Sequence, residues 1–112
     1  MVTGGWITQA DRSRWQQKAA AELAVILAGN PDLPVIAWTV TASGGALSGQ
    51  VLSPSGARAR LFAEWRQALG LDEVTEIASA GGTAVYLHAR GVRSGVTVSV
   101  AATIFDDGKE SV

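Results

Sequence analysis

The spacing of apolar residues in this chain switches from a helical period to an extended one and back, and that switching limits the folds it can adopt. Trp15, Ala19, Leu23, Ile26 and Leu27 recur at intervals of three and four, which lines one side of a helix over residues 8–28. Thr8 stands where a hydroxyl caps the first turn, with Asp11 three residues on as an imperfect capping-box partner, shorter than the usual glutamate. Gly29 is expected to close the helix in the left-handed conformation, and Pro31 and Pro34, lacking an amide donor, forbid its continuation. From Pro34 the period becomes two: Ile36, Trp38 and Val40 point one way, Ala37, Thr39 and Thr41 the other. Alternation resumes over residues 47–52 after Ser43-Gly44-Gly45-Ala46, so the two runs predict a hairpin.

Ser53-Pro54 has the form of a cap followed by a first-turn proline, and Leu61, Phe62, Trp65, Ala68 and Leu69 give a second helical stripe, closed by Gly70. Residues 73–79 form a weaker strand, with Val74 and Ile77 out of phase, as at a sheet edge or a bulge. Residues 83–90 and 96–105 alternate more cleanly, separated by a turn over 91–95. The order is αββαβββ. Glycine pairs at 44–45 and 81–82 fit either a decayed duplication or the usual chemistry of hairpins, and both give the same layers. The expected fold is α+β: a two-layer sandwich of a five-stranded antiparallel sheet with two helices on one face. At 112 residues it is a single domain, with a flexible arm over 1–7 and an acidic tail over 106–112.

Composition removes several function classes. Nine basic residues against ten acidic ones leave a net charge of −1, which gives no whole-molecule field for nucleic acid or anionic lipid. The helical cations Arg12, Arg14, Lys18, Arg58, Arg60 and Arg66 do not form one stripe, and Glu22 and Glu64 interleave with them as four-apart partners. Regulatory nucleic-acid binding through these arginines is therefore the third-ranked reading. Without cysteine the chain has no disulfide, thiol nucleophile or cysteine metal site, and the lack of a signal-peptide pattern points to the cytoplasm. No run approaches the roughly 20 apolar residues of a membrane span. One histidine and no cysteine leave carboxylates alone to bind a metal, and the Asp106, Asp107, Glu110 group lacks the calcium-loop pattern. No cofactor is expected. The glycines at 44 and 49 match the outer spacing of a phosphate loop, but they join strands and lack the lysine.

Parity along the strands assigns the second face of the sheet. It carries Ala37, Thr39, Thr41, Ser48, Gln50, Leu52, Tyr86, His88, Arg90, Thr97, Ser99, Ala101, Thr103 and Phe105. An exposed sheet usually carries lysine and glutamate, yet Arg90 is nearly alone here, so this face is expected to meet something flat, most simply a second copy of the chain. Thr39, Thr41, Gln50, Thr97, Ser99 and Thr103 are the expected interface. Tyr86, His88 and Arg90 form a compact polar cluster, the expected ligand site if the protein is instead a small-molecule binder or minimal enzyme. No nucleophile-elbow pattern accompanies His88, and no residue is assigned a catalytic role. Four of the seven aromatic residues are tryptophan; Trp15, Trp38 and Trp65 are expected as packing anchors, and Trp6 as a staple or a contact for a partner.

Pro34-Val35-Ile36-Ala37-Trp38-Thr39-Val40, Arg60-Leu61-Phe62-Ala63-Glu64-Trp65 and Ile104-Phe105-Asp106-Asp107 resemble segments of small α+β proteins of high-GC bacteria. The likeness spans about residues 30–107 and carries no activity or catalytic residue with it. Seven arginines against two lysines fit that coding bias. The expected function is a non-enzymatic, self-associating accessory or adaptor domain, a homodimer that binds a further protein partner.

Overall fold

The structure is a computed structural model that describes residues 8–41, 45–52 and 55–105. The arm at 1–7 with Trp6, the turn at 42–44, Ser53-Pro54 and the tail at 106–112 lie outside the described residues. Helix α1 runs Gln9–Gly29 and α2 runs Ser55–Leu69; the strands are β1 Ala37–Val40, β2 Ala46–Gln50, β3 Glu73–Ala78, β4 Ala84–Arg93 and β5 Val96–Phe105. They form one sheet in the order β1-β2-β5-β4-β3.

Three neighbouring pairs are antiparallel, but β2 and β5 are parallel, so the sheet is mixed and the expectation of a fully antiparallel sheet is corrected. Counting reversals gives the reason. A hairpin, a returning helix and a three-stranded meander alternate direction, so both end strands of the meander, β3 and β5, run the same way as β2. An all-antiparallel sheet would have required β1, not β2, to join the meander. Burial decides the matter: Val96, Val98, Val100 and Ala102 give β5 the most completely buried set of side chains, which belongs at the centre. All six residues of β3 are exposed, and it takes the outer position.

The capping box forms as expected: the Thr8 hydroxyl accepts from the Asp11 amide at 3.0 Å, and the Asp11 carboxylate accepts from the Thr8 amide at 3.1 Å. Those bonds, the amide of Thr8 first, and the nearby Arg14 hold the Asp11 carboxyl below its ordinary range. At the other end Gly29 stays helical, correcting the expected left-handed stop. Asn30 is the cap instead, with φ −135°, and its side-chain amide donates to the Ile26 carbonyl at 2.8 Å. Helix α2 ends as expected. Gly70 has φ 66°, its amide reaches the Gln67 carbonyl, and the Leu71 amide reaches that of Arg66, a Schellman closure that buries Leu71.

One core cluster unites Ala19 and Ile26 of α1, Leu61, Phe62, Trp65 and Leu69 of α2, and one parity of the strands, including Leu47, Ala89, Val98, Val100 and Ala102. Both helices therefore lie on one face, α1 chiefly over β1 and β2 and α2 along β5. Because α1 sits at the sheet margin, only a narrow stripe of it is covered. Trp15 stays 37% exposed and Leu27 46%, against the expectation that the whole stripe is buried; Ala68 at the flank of α2 is exposed too. Trp38 and Trp65 do anchor the core, meeting edge to face at 5.6 Å between ring centroids, and the Trp65 indole donates to the Pro34 carbonyl at 2.8 Å. The expected turn over 91–95 shrinks to Ser94 and Gly95, whose φ values of 53° and 80° suit a two-residue hairpin. Gly91 belongs to β4, where a side chain would press on Leu71: a Cβ there would lie 3.1 Å from Leu71 Cδ2. Among the described residues no helix is long and apolar enough to cross a membrane.

Candidate functional site

The pairing registers place the predicted residues in rows across the face turned away from the helices. One row runs Thr39, Ser48, Ser99, Arg90, Glu73; the next runs Ala37, Gln50, Ala101, His88, Thr75; a third joins Thr103, Tyr86 and Ile77. The parity assignment therefore holds on β1, β2, β4 and β5, and Thr39, Gln50, Thr97, Ser99 and Thr103 share one surface. Thr41 follows the end of β1, where its amide and hydroxyl both donate to the Ala46 carbonyl.

Tyr86, His88 and Arg90 are brought together because alternate residues of β4 project from the same side. The Tyr86 and His88 rings stack, with centroids 6.1 Å apart and planes 20° apart. Arg90 is committed to Glu73: its Nε and Nη2 donate to the carboxylate in three bonds of 2.9–3.1 Å. This two-pronged pair neutralises both charges across the β3–β4 ladder. The strip offers no nucleophile bonded to a general base, and the described residues hold no group of three or more metal-ligating side chains. Clefts among the described residues open elsewhere, along α1 and at the end of α2. The strip presents a ring stack and a hydrogen-bonded ion pair at the surface of the sheet.

Glu73, Thr75 and Ile77 of β3 are residues of this face that sequence reasoning did not assign, as is Val92, which opposes Thr97 and reads as turn in the sequence. β3 is exposed on both sides, so no buried face imposes a period of two, and Val74, Ile77 and Ala78 read out of phase. Cross-strand charge was the available signal, since a glutamate opposite an arginine is a favoured antiparallel pair. Several helical cations have local partners: Arg14 pairs with Asp11, Arg60 with Glu64 at 3.4 Å, and Arg58 donates to the Thr103 carbonyl and lies over the Phe105 ring.

The face is apolar where it is not neutral. Leu52 is 63% exposed, Ile77 55%, Phe105 50% and Tyr86 39%, spread from the end of β2 to the outer strand. Within the described strands its ionised groups are Arg90 and Glu73, which cancel. No protein-family model matches the chain, and no curated protein matches it either.

Proposed function

We propose that this chain is a non-enzymatic protein-binding domain, an accessory or adaptor module that pairs with a second copy of itself through the open face of its sheet. The observation that carries the reading is the coincidence of exposed Leu52, Ile77 and Tyr86 with a field of threonine, serine and alanine in which Arg90 and Glu73 cancel. Such a surface loses little by desolvation and gains by covering its apolar side chains. A twofold axis needs only one such patch, because each copy presents the same face.

Size sets the expected strength. Strands of four to ten residues, at about 3.3 Å per residue and about 4.8 Å between strands, make a plane of about 550 Å². Specific interfaces bury about 800 Å² per partner, so the pairing belongs at the weak end and is expected in the micromolar range. Size-exclusion chromatography with light scattering, carried into the hundreds of micromolar, is expected to show a mass rising toward twice that of the monomer. Tyr86→Arg and Thr103→Arg, which place cations on the β4 and β5 strands of the face, hold the protein monomeric. A parent chain that stays strictly monomeric throughout sinks the reading.

A further inference from the structure

The outer side of β1 is unpaired among the described residues, and it is built differently from the opposite edge of the sheet. Edge strands are commonly defended by charge, proline or a bulge. β3 carries Glu73 and Glu76, whereas β1 is Ala37-Trp38-Thr39-Val40 and carries none of these.

The ladder decides which backbone groups face outward. The Thr41 amide donates to Ala46 at 3.1 Å, and Thr39 opposes Ser48 as Ala37 opposes Gln50. Antiparallel ladders bond through alternate residues, so Ala37, Thr39 and Thr41 bond to β2 while the N–H and C=O of Trp38 and Val40 point away from the sheet. The side chains of Trp38 and Val40 point to the helical layer, and each lines a cleft between β1 and α1. The first cleft, of about 270 Å³, is apolar, with Leu27, Leu33, Ile36, Trp38 and Trp65 among its walls. The second, of about 440 Å³, lies between Val40 and the polar side of α1, with Ser13, Gln16, Gln17 and Ala20. The Trp38 indole nitrogen is buried with no hydrogen-bond partner among the described residues.

We propose that β1 accepts an extended peptide strand from a protein partner along this edge. A large apolar side chain of the peptide rests against Trp38 and Trp65, and an amide- or hydroxyl-bearing side chain two residues away reaches Gln16 and Gln17. Positions two apart on a strand are about 7 Å apart and face the same way, which matches the succession of Trp38 and Val40. The outward amides and carbonyls supply binding energy without regard to sequence, and the two clefts supply the preference for an apolar and a polar side chain two residues apart. This edge is separate from the open face, so the inference stands without the dimer.

The test uses the full chain and two blocked, lysine-flanked, threonine-rich peptides with leucine and glutamine two residues apart, one in each order, so that parallel and antiparallel pairing are both sampled. Nitrogen-15 NMR is expected to show shifts of the Trp38 indole and slowed exchange of the Trp38 and Val40 amides as peptide is added. A peptide with aspartate in place of leucine binds at least tenfold more weakly. Val40→Pro removes an amide that the parent sheet does not use and is expected to weaken binding at least tenfold. Should that variant fail to fold, Gln16→Ala with Gln17→Ala, exposed on α1 at the second cleft and outside the core, gives a several-fold loss. The proposal is overturned if both peptides at millimolar concentration leave those amides unprotected, if the aspartate peptide binds equally, or if the edge amides are already protected in the free protein. Oligomeric mass measured on the same samples separates a failed edge from a failed dimer.

Discussion

Gly49→Ala tests whether the tryptophan pair sets the packing of the β1–β2 end of the core. A Cβ built on Gly49 would lie 2.8 Å from Ile36 Cδ1 and 3.1 Å from two atoms of the Trp38 ring. The Ile36 methyl is the end of a movable side chain and yields cheaply. The Trp38 ring does not, because it is wedged edge to face against Trp65, whose indole is bonded to the Pro34 carbonyl. Overpacking of this kind costs about 1–3 kcal/mol, while alanine recovers about 0.5–1 kcal/mol of the backbone entropy that glycine loses in a strand. The net expectation is a loss of about 1–2 kcal/mol, or roughly 4–8 °C in Tm for a domain of this size. Thermal unfolding followed by tryptophan fluorescence reads it directly. Gly56→Ala is the control: a Cβ there meets nothing within 4 Å on a helix, so that variant is expected to gain up to about 1 kcal/mol. An unchanged or raised Tm for Gly49→Ala would refute a rigid tryptophan pair.

Three further outcomes follow from the same contacts. Asp11 has its carboxyl pKa lowered in the folded state, so its stabilisation is present above the ordinary value of 3.8 and is lost as pH falls through the folded value; acid titration of the helical circular dichroism should show Asp11→Asn weaker than the parent near neutrality and converging with it in acid. Gly70→Ala forces a side chain into a left-handed Schellman position and is expected to cost about 1–2 kcal/mol in urea unfolding; a loss below a few tenths contradicts the closure. Glu22 is 11% exposed at the side chain and accepts from Arg93 at 3.2 Å, so Glu22→Ala is expected to cost about 2 kcal/mol with little salt dependence; Glu64→Ala, at the surface pair with Arg60, is expected to cost about 0.5 kcal/mol or less.

Local signals carried most of the fold and half of the site. Thr8 with Asp11, Gly70 after Leu69 and the alternation of Ile36, Trp38 and Val40 are decided within a few residues, and each forms as read. Tyr86, His88 and Arg90 lie together because a strand projects alternate residues to one side whatever its neighbours are. What could not be read is non-local. The parallel β2–β5 pair depends on which hairpin strand meets the meander, a choice set by competition for the buried centre. Glu73 meets Arg90 only through that arrangement. Trp15 is a case of the opposite kind: its helical spacing is right, but exposure depends on how far α1 overhangs the sheet. Gly91 reads as turn in the sequence because a glycine in a strand weakens it, whereas its place in β4 reflects the close approach of Leu71, twenty residues earlier in the chain.

The width of the layers connects these points to binding. Helices pack about 10 Å apart and strands about 4.8 Å apart, so two helices cover about four strands of a five-stranded sheet. Coverage must fail somewhere, and here it fails at both margins in different ways. On the β3 side the helices stop short, and a strand with both faces wet survives on its glutamates and its bonds to β4. On the β1 side α1 stands beside the strand without sealing against it, leaving the clefts at Trp38 and Val40. Widening the helix side chains facing β1 should therefore close the edge without changing the fold. Ala20→Leu fills space beside Val40, and it is expected to preserve Tm within a few degrees while reducing peptide protection of the Val40 amide. Unchanged protection with the larger side chain in place would mean that the cleft contributes nothing and that backbone pairing alone holds the strand.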